Sequence, residues 1–321
     1  MIQGATKGSK IIICTDGLAN IGLGCLDNIK DNEHQKLREF YYDLGLVAKE
    51  KGIIVSLITF EGEESKIGIL SNLIEQTGGS IVRVKPSSIL EEFSNLLSTE
   101  VIATDVKLRV KIHKIMSFRN EKKTDLTLNE STLLKTIGNA TNETEVYIEY
   151  HFKNSEEIAK FNEINLETMK TVPFQSIIEY TTKKGERCIR VITKRLEICS
   201  DKQEIEKQAN YKILSVNSLQ KSSQMAQLGD YRGAQGYALA CKKVLKRGKD
   251  NETIEAKEGY KMFKKNFNEM NTDLLDLQEE EVSKTGKTQD YVERTKNMQD
   301  GISSKVYTNN KITMSKATKK K

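Results

Sequence analysis

Asp16 is the side chain of this sequence best placed to do chemistry. It closes the string IIICTDGLANIGLG (11–24), in which the short apolar run IIIC is followed at once by Thr15, Asp16 and Gly17. A buried parallel strand reads this way when it delivers a loop at its C-terminal end. That end is where α/β sheets bind ligands, so a carboxylate there, with the Thr15 hydroxyl beside it, is a candidate ligand for a hard cation such as Mg²⁺. Such a cation needs several oxygens, and Asp16 supplies a single carboxylate, so the metal site is incomplete. The competing role for Asp16 is a hydrogen bond to backbone amides of its own loop.

Other reactive types are scattered. Cys14, Cys25, Cys188, Cys199 and Cys241 contain no CxxC pair, and His34, His113 and His151 are equally dispersed, which argues against a zinc knuckle, a disulfide framework and a Cys/His catalytic pair. Gly17, Gly22 and Gly24 fit neither a GxGxxG nor a Walker spacing, and GxxxxGK[ST] does not occur. They read as conformational freedom in a strand-to-helix loop. No nucleophile elbow or Ser/His/Asp ordering emerges, so the expectation is a protein that is not an enzyme, with no cofactor and no small-molecule substrate. Arg187, Arg190, Lys194 and Arg195 crowd one predicted hairpin. They offer a surface for acidic lipid headgroups or an acidic protein partner, or else a plain solvated strand face.

The elements that position these residues follow from periodicity. Leu37, Phe40, Tyr41, Leu44 and Val47 fall at helical spacing, then Gly52 and the apolar run IIVSLITF (53–60). Ile67, Leu70, Leu73 and Ile74 repeat the pattern before Gly78, Gly79 and SIVRV (80–84). A capping box from Ser88 to Glu91 opens a helix with Ile89, Leu90, Phe93, Leu96 and Leu97 facing inward. This alternation of strand and helix makes a parallel α/β unit. From about residue 104 the period becomes two, in VKLRVKIHKI (106–115), EVYIEYHF (145–152) and a hairpin over 174–198 that turns at Lys183-Lys184-Gly185-Glu186. A polar-out, apolar-in antiparallel sandwich is expected there.

After Ser200 the chain reads as helical. One helix is expected at about 203–227, a second N-capped by Asp230 and ending at Gly248. The third carries Tyr260, Phe263, Phe267, Met270, Leu274 and Leu277 as a seam for its two neighbours or for a partner helix. The domains so drawn are 1–103 (α/β), 104–200 (all-β), 201–282 (α) and a disordered basic tail, 283–321, ending in KATKKK.

The bulk numbers agree. The chain has 321 residues, 37% hydrophobic and 30% charged, with net charge +6. With no Trp and 6% aromatics it lacks the basic stripe interleaved with aromatics of a nucleic-acid surface, so no nucleic-acid partner is expected. No apolar run is long enough to span a bilayer, and MIQGATKGSK lacks the apolar stretch of a secretory signal; a cytoplasmic address is expected.

The string IIICTDGLANIGLG, followed by helix, strand, helix and TGGSIVRV, resembles the second half of a von Willebrand A domain, particularly that of the inner-coat subunits of the COPII vesicle coat. In that coat family a β-sandwich follows, with a hairpin similar to the pattern here at Gln175, Tyr180, Gly185, Arg187, Ile189, Arg190, Val191 and Thr193, and an all-helical segment comes next. Residues 10–200 carry this resemblance. The TDGLANIGLG stretch is also similar to one in the circularly permuted Ras-like proteins of protists. The coat resemblance implies a scaffold or adaptor that binds other proteins in ER-to-Golgi transport, in the cytoplasm and peripherally at the ER membrane. The Ras-like one implies a fragment of a permuted GTPase retaining only its von Willebrand A and later regions. A substrate-recruiting scaffold of the kind attached to RING ubiquitin ligases is a third reading, and the absence of RING cysteines from this sequence counts against it.

The same resemblance makes strand IIIC the fourth of its parent sheet. Strands one to three, the D-x-S-x-S motif that supplies most metal ligands, and the zinc-binding cysteines of the coat proteins are not in this sequence. IIIC is then expected at a sheet edge with unpaired backbone groups, where either another chain pairs with it or the sequence is a piece of a longer protein.

Overall fold

The apolar run IIIC becomes β1 (Lys10–Thr15), and the alternation that follows gives α1 (His34–Glu50), β2 (Ile54–Phe60), α2 (Ile67–Thr77), β3 (Ile81–Val84) and α3 (Ile89–Ser98). The structure is a computed structural model that describes residues 1–121, 123–127, 130–161, 169–250 and 254–314; the KATKKK run at 316–321 lies outside them. The strands form a parallel sheet in the order β1-β2-β3, with Ile11 opposite Val55, Ile13 opposite Leu57, and Leu57 opposite Ile81. Those side chains share one face and join Leu73 and Ile74 of α2 in a buried core. At the end of α2, Gly78 takes φ +72° as the helix cap, and a Cβ on Gly79 would overlap the Val55 carbonyl, so the chain can turn into β3 only through glycine here. As expected, β1 is an edge of this sheet and pairs with β2 alone among the described residues.

The capping box at Ser88 does not form: Ser88 is the N-cap of α3 but its side chain makes no capping bond, because a 3-10 turn at Pro86–Ser88 already sets the helix entry. The inward face expected for this helix is covered only in part, with Ile89, Phe93 and Leu96 half-buried and Leu90 and Leu97 exposed. None of its residues is buried, and Leu90 is 81% exposed. Amphipathic spacing gave the helix correctly but not what lies against it.

Next in the chain come β4 (Val101–Ile112), β5 (Met116–Arg119), β6 (Leu126–Thr127), β7 (Thr132–Thr141), β8 (Glu149–Phe152), α4 (Ser155–Ala159), β9 (Thr171–Thr182), β10 (Arg187–Glu197) and α5 (Lys202–Gln208). They form a unit of their own, residues 100–208. Its main sheet is antiparallel in the order β10-β9-β4-β7-β6, and β5 pairs with β8 in a small second sheet. Leu108, Val110, Ile112, Met116, Phe118, Leu133 and Val172 fill the space between. The hairpin turns where expected, with Gly185 at φ +84°.

The rest is α6 (Tyr211–Gln227), α7 (Tyr231–Asp250), α8 (Ile254–Thr285), α9 (Tyr291–Asn297) and α10 (Asp300–Asn310). The helix expected at 203–227 is two helices, because Asn210 leaves the helical conformation and accepts from the amides of Lys212 and Ile213 at 3.1 Å each, restarting the helix as α6. The Phe263, Phe267, Met270 and Leu274 seam of α8 is buried with Leu219 of α6 and with Ala234, Ala238 and Leu245 of α7, so it is occupied by its own neighbours.

Two boundaries differ from the sequence reading. The helical segment is not a separate domain: residues 1–99 and 209–321 form one compact unit, into which 100–208 is inserted. Nor does order stop at 283. Helix α10 supplies Tyr307 to the core beside the parallel sheet and Val306 to the core of the helices. Its other buried positions are Asp300, Ser303, Ser304 and Asn309, polar residues that give a hydrophobic pattern nothing to detect.

Candidate functional site

The carboxylate of Asp16 stands at the tip of β1, exposed to solvent. The local bonds belong to Thr15, whose Oγ1 accepts from the Gly17 amide at 3.3 Å and donates to the Gly17 carbonyl at 2.9 Å. Among the described residues no group of three or more His, Cys, Asp or Glu side chains comes together to hold a metal. For the Mg²⁺ ligand expected at Asp16, one carboxylate supplies fewer oxygens than a hard divalent cation takes.

The carboxylate that does reach the loops of this unit comes from α10. Asp300 is 1% exposed; its Oδ2 accepts from the Ser65 amide at 2.5 Å and its Oδ1 from the Ile67 amide at 2.7 Å. It caps the N-terminus of α2 from 235 residues away in sequence, in the position where an external anion would bind a free helix end. Lys66, between the two amides, takes the left-handed conformation at φ +57° that turns both toward the carboxylate. Burial, with the nearby Asp300 charge second, raises the Glu64 carboxyl above its ordinary range.

Sequence reasoning gave no signal for a second buried ionic centre. Arg294 and Glu281 form a pair, Nε to Oε2 at 3.1 Å, with both side chains almost wholly buried. Arg294 also donates from Nη1 to the Gly229 carbonyl at 3.2 Å and lies over the Tyr231 ring, 5.0 Å from its centroid. The Gln289 amide donates to Glu281 as well. A cavity of about 310 Å³ opens beside this group. Burial pushes the Tyr231 hydroxyl up to about 12, so it stays protonated and donates to the Arg294 carbonyl at 3.2 Å. Each charge here is matched from within, the arrangement of a structural clamp. Gly286-Lys287-Thr288, a GKT string, follows the C-terminal end of α8, where carbonyls point outward; a phosphate loop requires the amides of a helix start.

The outer face of the five-stranded sheet is an open surface with a chemical character of its own. Side chains alternate faces along a strand, so the four cations of β10 divide. Arg187 and Arg195 lie on the face of Ile189, Val191 and Thr193; Arg190 and Lys194 lie on the other, with Ile192, and the residues opposite these two cations, Ile178 and Phe174, pack on the core. The basic hairpin face expected from sequence is thus two half-faces. Its outer half is extended by residues the sequence reading did not single out. Lys107, Arg109 and Lys111 of β4 lie in rows with Glu179, Ile177 and Gln175 of β9, and through them with Ile189, Val191 and Thr193. One acid interrupts these rows, Glu179, 3.8 Å from Arg109. Ile189 and Val191 are 70% and 55% exposed amid the cations. The signal was present in VKLRVKI, where every second residue is basic, but only the strand register shows that it meets β10.

No protein-family model matches the chain. In sequence it is similar to Circularly permutated Ras protein 1 of Dictyostelium discoideum, 27% identical over 238 residues, which are 74% of this chain and 26% of that protein. The chain thus spans about a quarter of the length of that relative. In fold it is similar to the human COPII-coat protein Sec24c, with a TM-score of 0.54 over 75% of this chain and 34% of that one, at 16% identity. At that identity the likeness is one of fold. The two kinds of protein that the sequence resembles are therefore both found, one by sequence and one by structure.

Proposed function

We propose that this chain is a non-catalytic, protein-binding scaffold or adaptor of the COPII-trunk kind, working in the cytoplasm and peripherally at the ER membrane. The observation that carries the reading is the outer face of the five-stranded sheet, where Lys107, Arg109, Lys111, Arg187 and Arg195 share a face with exposed Ile189 and Val191. Charges that only keep a protein soluble do not need exposed β-branched residues between them; a surface that meets another one does. The likeness in fold to a coat subunit supports the same reading. The experiment is fractionation of cells expressing the tagged chain, with Lys107→Glu and Arg187→Glu on the outer face as the comparison. Recovery of the native chain with ER membranes, lost in the double variant at unchanged stability, supports the scaffold. A chain that stays in the soluble fraction in both forms removes it.

A second reading has its own observation, the 27% identity over 238 residues to a circularly permuted Ras protein. On this reading the chain is the von Willebrand A-like and later region of such a GTPase, and the binding surface belongs to a larger switch whose nucleotide site lies elsewhere. Sequencing the transcript that encodes the chain, upstream and downstream, separates the two: a Ras-like reading frame joined to it selects this one.

A further inference from the structure

The edge of the sandwich adds a second feature to its face. Strand β10 ends the order β10-β9-β4-β7-β6, so one row of its N–H and C=O groups has no strand partner among the described residues, over a strand of 11 residues. Edge strands of this length template further pairing unless something guards them. Here side chains on both faces of the edge are open: Ile189 and Val191 on one, Ile192 on the other, with Arg187 and Arg195 beside the first pair and Arg190 and Lys194 beside the second. The only acid of the strand RCIRVITKRLE is Glu197 at its very end; Arg187 to Leu196 carry none.

We propose that the free edge of β10 docks an extended acidic segment of a partner protein, which adds to the sheet as an antiparallel strand. The charges decide what is admitted. If a second copy of β10 paired antiparallel about Val191, Arg187 of each copy would face Arg195 of the other, two like-charge pairs on one surface, so the edge repels itself. An acidic strand converts the same positions into opposite-charge pairs, while Ile189, Val191 and Ile192 supply apolar cross-strand contact. Lys107, Arg109 and Lys111 extend the positive field over the neighbouring rows and favour the same partner. The proposal rests on the protein-binding reading and names the chemistry of the partner.

The register also gives the partner's pattern. Read from its N-terminus, a segment opposite Arg195 through Arg187 carries acids against Arg195, Lys194, Arg190 and Arg187 and β-branched residues against Ile192, Val191 and Ile189. The probe is therefore the peptide Glu-Glu-Thr-Val-Val-Glu-Val-Thr-Glu, fluorescently labelled and followed by anisotropy with the full chain. Comparison probes are its all-Gln counterpart, the acidic peptide N-methylated at alternate amides, and phosphatidylserine vesicles. The acidic peptide is expected to bind; methylation on the docking side and the Gln exchange should each abolish most of it. The variant Arg190→Glu with Lys194→Glu should weaken it by about tenfold or more, since each exposed pair changes from attraction to repulsion. Its melting temperature and far-ultraviolet spectrum check that the fold is kept.

Equal binding of the methylated peptide overturns the strand addition, because charge alone then explains the affinity. Binding of the vesicles but not the peptide overturns the peptide partner and assigns the cations to lipid. Absence of peptide binding while the chain is still recovered with ER membranes overturns the edge assignment and leaves the scaffold reading standing.

Discussion

The two units of this chain use charge in opposite ways. In the unit formed by 1–99 and 209–321 the telling ionic groups are inside: Asp300 receives two amides, and Arg294 and Glu281 hold each other with Gly229 and Gln289 as further partners. In the unit 100–208 the cations of β4 and β10 stand in solvent beside exposed isoleucine and valine, with Glu179 as the one acid in their rows. A buried charge paired by groups of its own fold fixes how distant segments meet. An exposed, unmatched charge does little for the fold and is free to be matched by something else. The first unit is thus held together by its charges and the second is decorated by them.

Mutation should separate the two uses most sharply at Arg294. Arg294→Met leaves the Glu281 carboxylate buried without its cation, and the expected loss of stability is about 3–5 kcal/mol in urea unfolding. Arg294→Met combined with Glu281→Leu should recover much of that loss, since the desolvation of both charges disappears with them. A double variant no more stable than the single one would mean that the pair is not the reason for the loss.

Asp300→Ala comes next. It leaves the buried amides of Ser65 and Ile67 without an acceptor, for an expected cost of about 2–3 kcal/mol. Hydrogen exchange gives a local readout: those two amides should lose protection ahead of the rest of α2. Tyr307→Phe removes the bond from the Tyr307 hydroxyl to the Gly79 carbonyl, 2.9 Å long and buried, and should cost about 1–2 kcal/mol. Against these, Arg190→Glu with Lys194→Glu in the other unit should change stability by less than about 0.5 kcal/mol per site. If the surface pair proved as costly as Asp300→Ala, the contrast between the units would fail.

The same contrast explains what the sequence could and could not tell. Strands and helices whose packing is apolar were legible: IIIC, IIVSLITF and SIVRV are β1, β2 and β3, and the Phe263 to Leu274 seam is the buried stripe of α8. The turn at Gly185 was legible because its backbone angle demands glycine. Helix α10 was not, because its positions Asp300, Ser303, Ser304 and Asn309 are polar yet buried, and the amides that Asp300 receives, those of Ser65 and Ile67, lie more than two hundred residues away. EVYIEYHF alternates throughout, yet only Glu149–Phe152 finds a strand partner, in β5. Of the candidate site, the cations of the hairpin could be read but not how they group. Asp16 sits just past the end of β1 and, among the described residues, joins no group of three or more His, Cys, Asp or Glu side chains. Arg187 and Arg190 are three residues apart, an odd separation that places them on opposite faces of any strand, so their division could have been read directly. The addition of Lys107, Arg109 and Lys111 could not, because it depends on β9 lying between β4 and β10.

The smallest effect expected within the comparison belongs to His34, at the start of α1. Burial first, and then the positive charges of Lys296, Arg38 and Lys66, hold its pKa below the ordinary imidazole value, against a weaker opposing pull from Asp31. Its Nδ1 is buried without a hydrogen-bond partner. As pH falls through about 6.5 the unfolded chain takes up this proton before the folded one does. In the window between the folded pKa and that value the unfolded state binds more protons, so stability from this site is held at higher pH and lost on acidification. His34→Gln cannot be protonated and should flatten that part of the dependence of the unfolding midpoint on pH between about 5 and 7.5. Because the charges facing His34 include Lys296 of α9 and Lys66 before α2, the effect reports whether the helical segment and the parallel sheet keep their cations together in one folded unit. Parallel pH profiles for the native chain and His34→Gln would show that they do not.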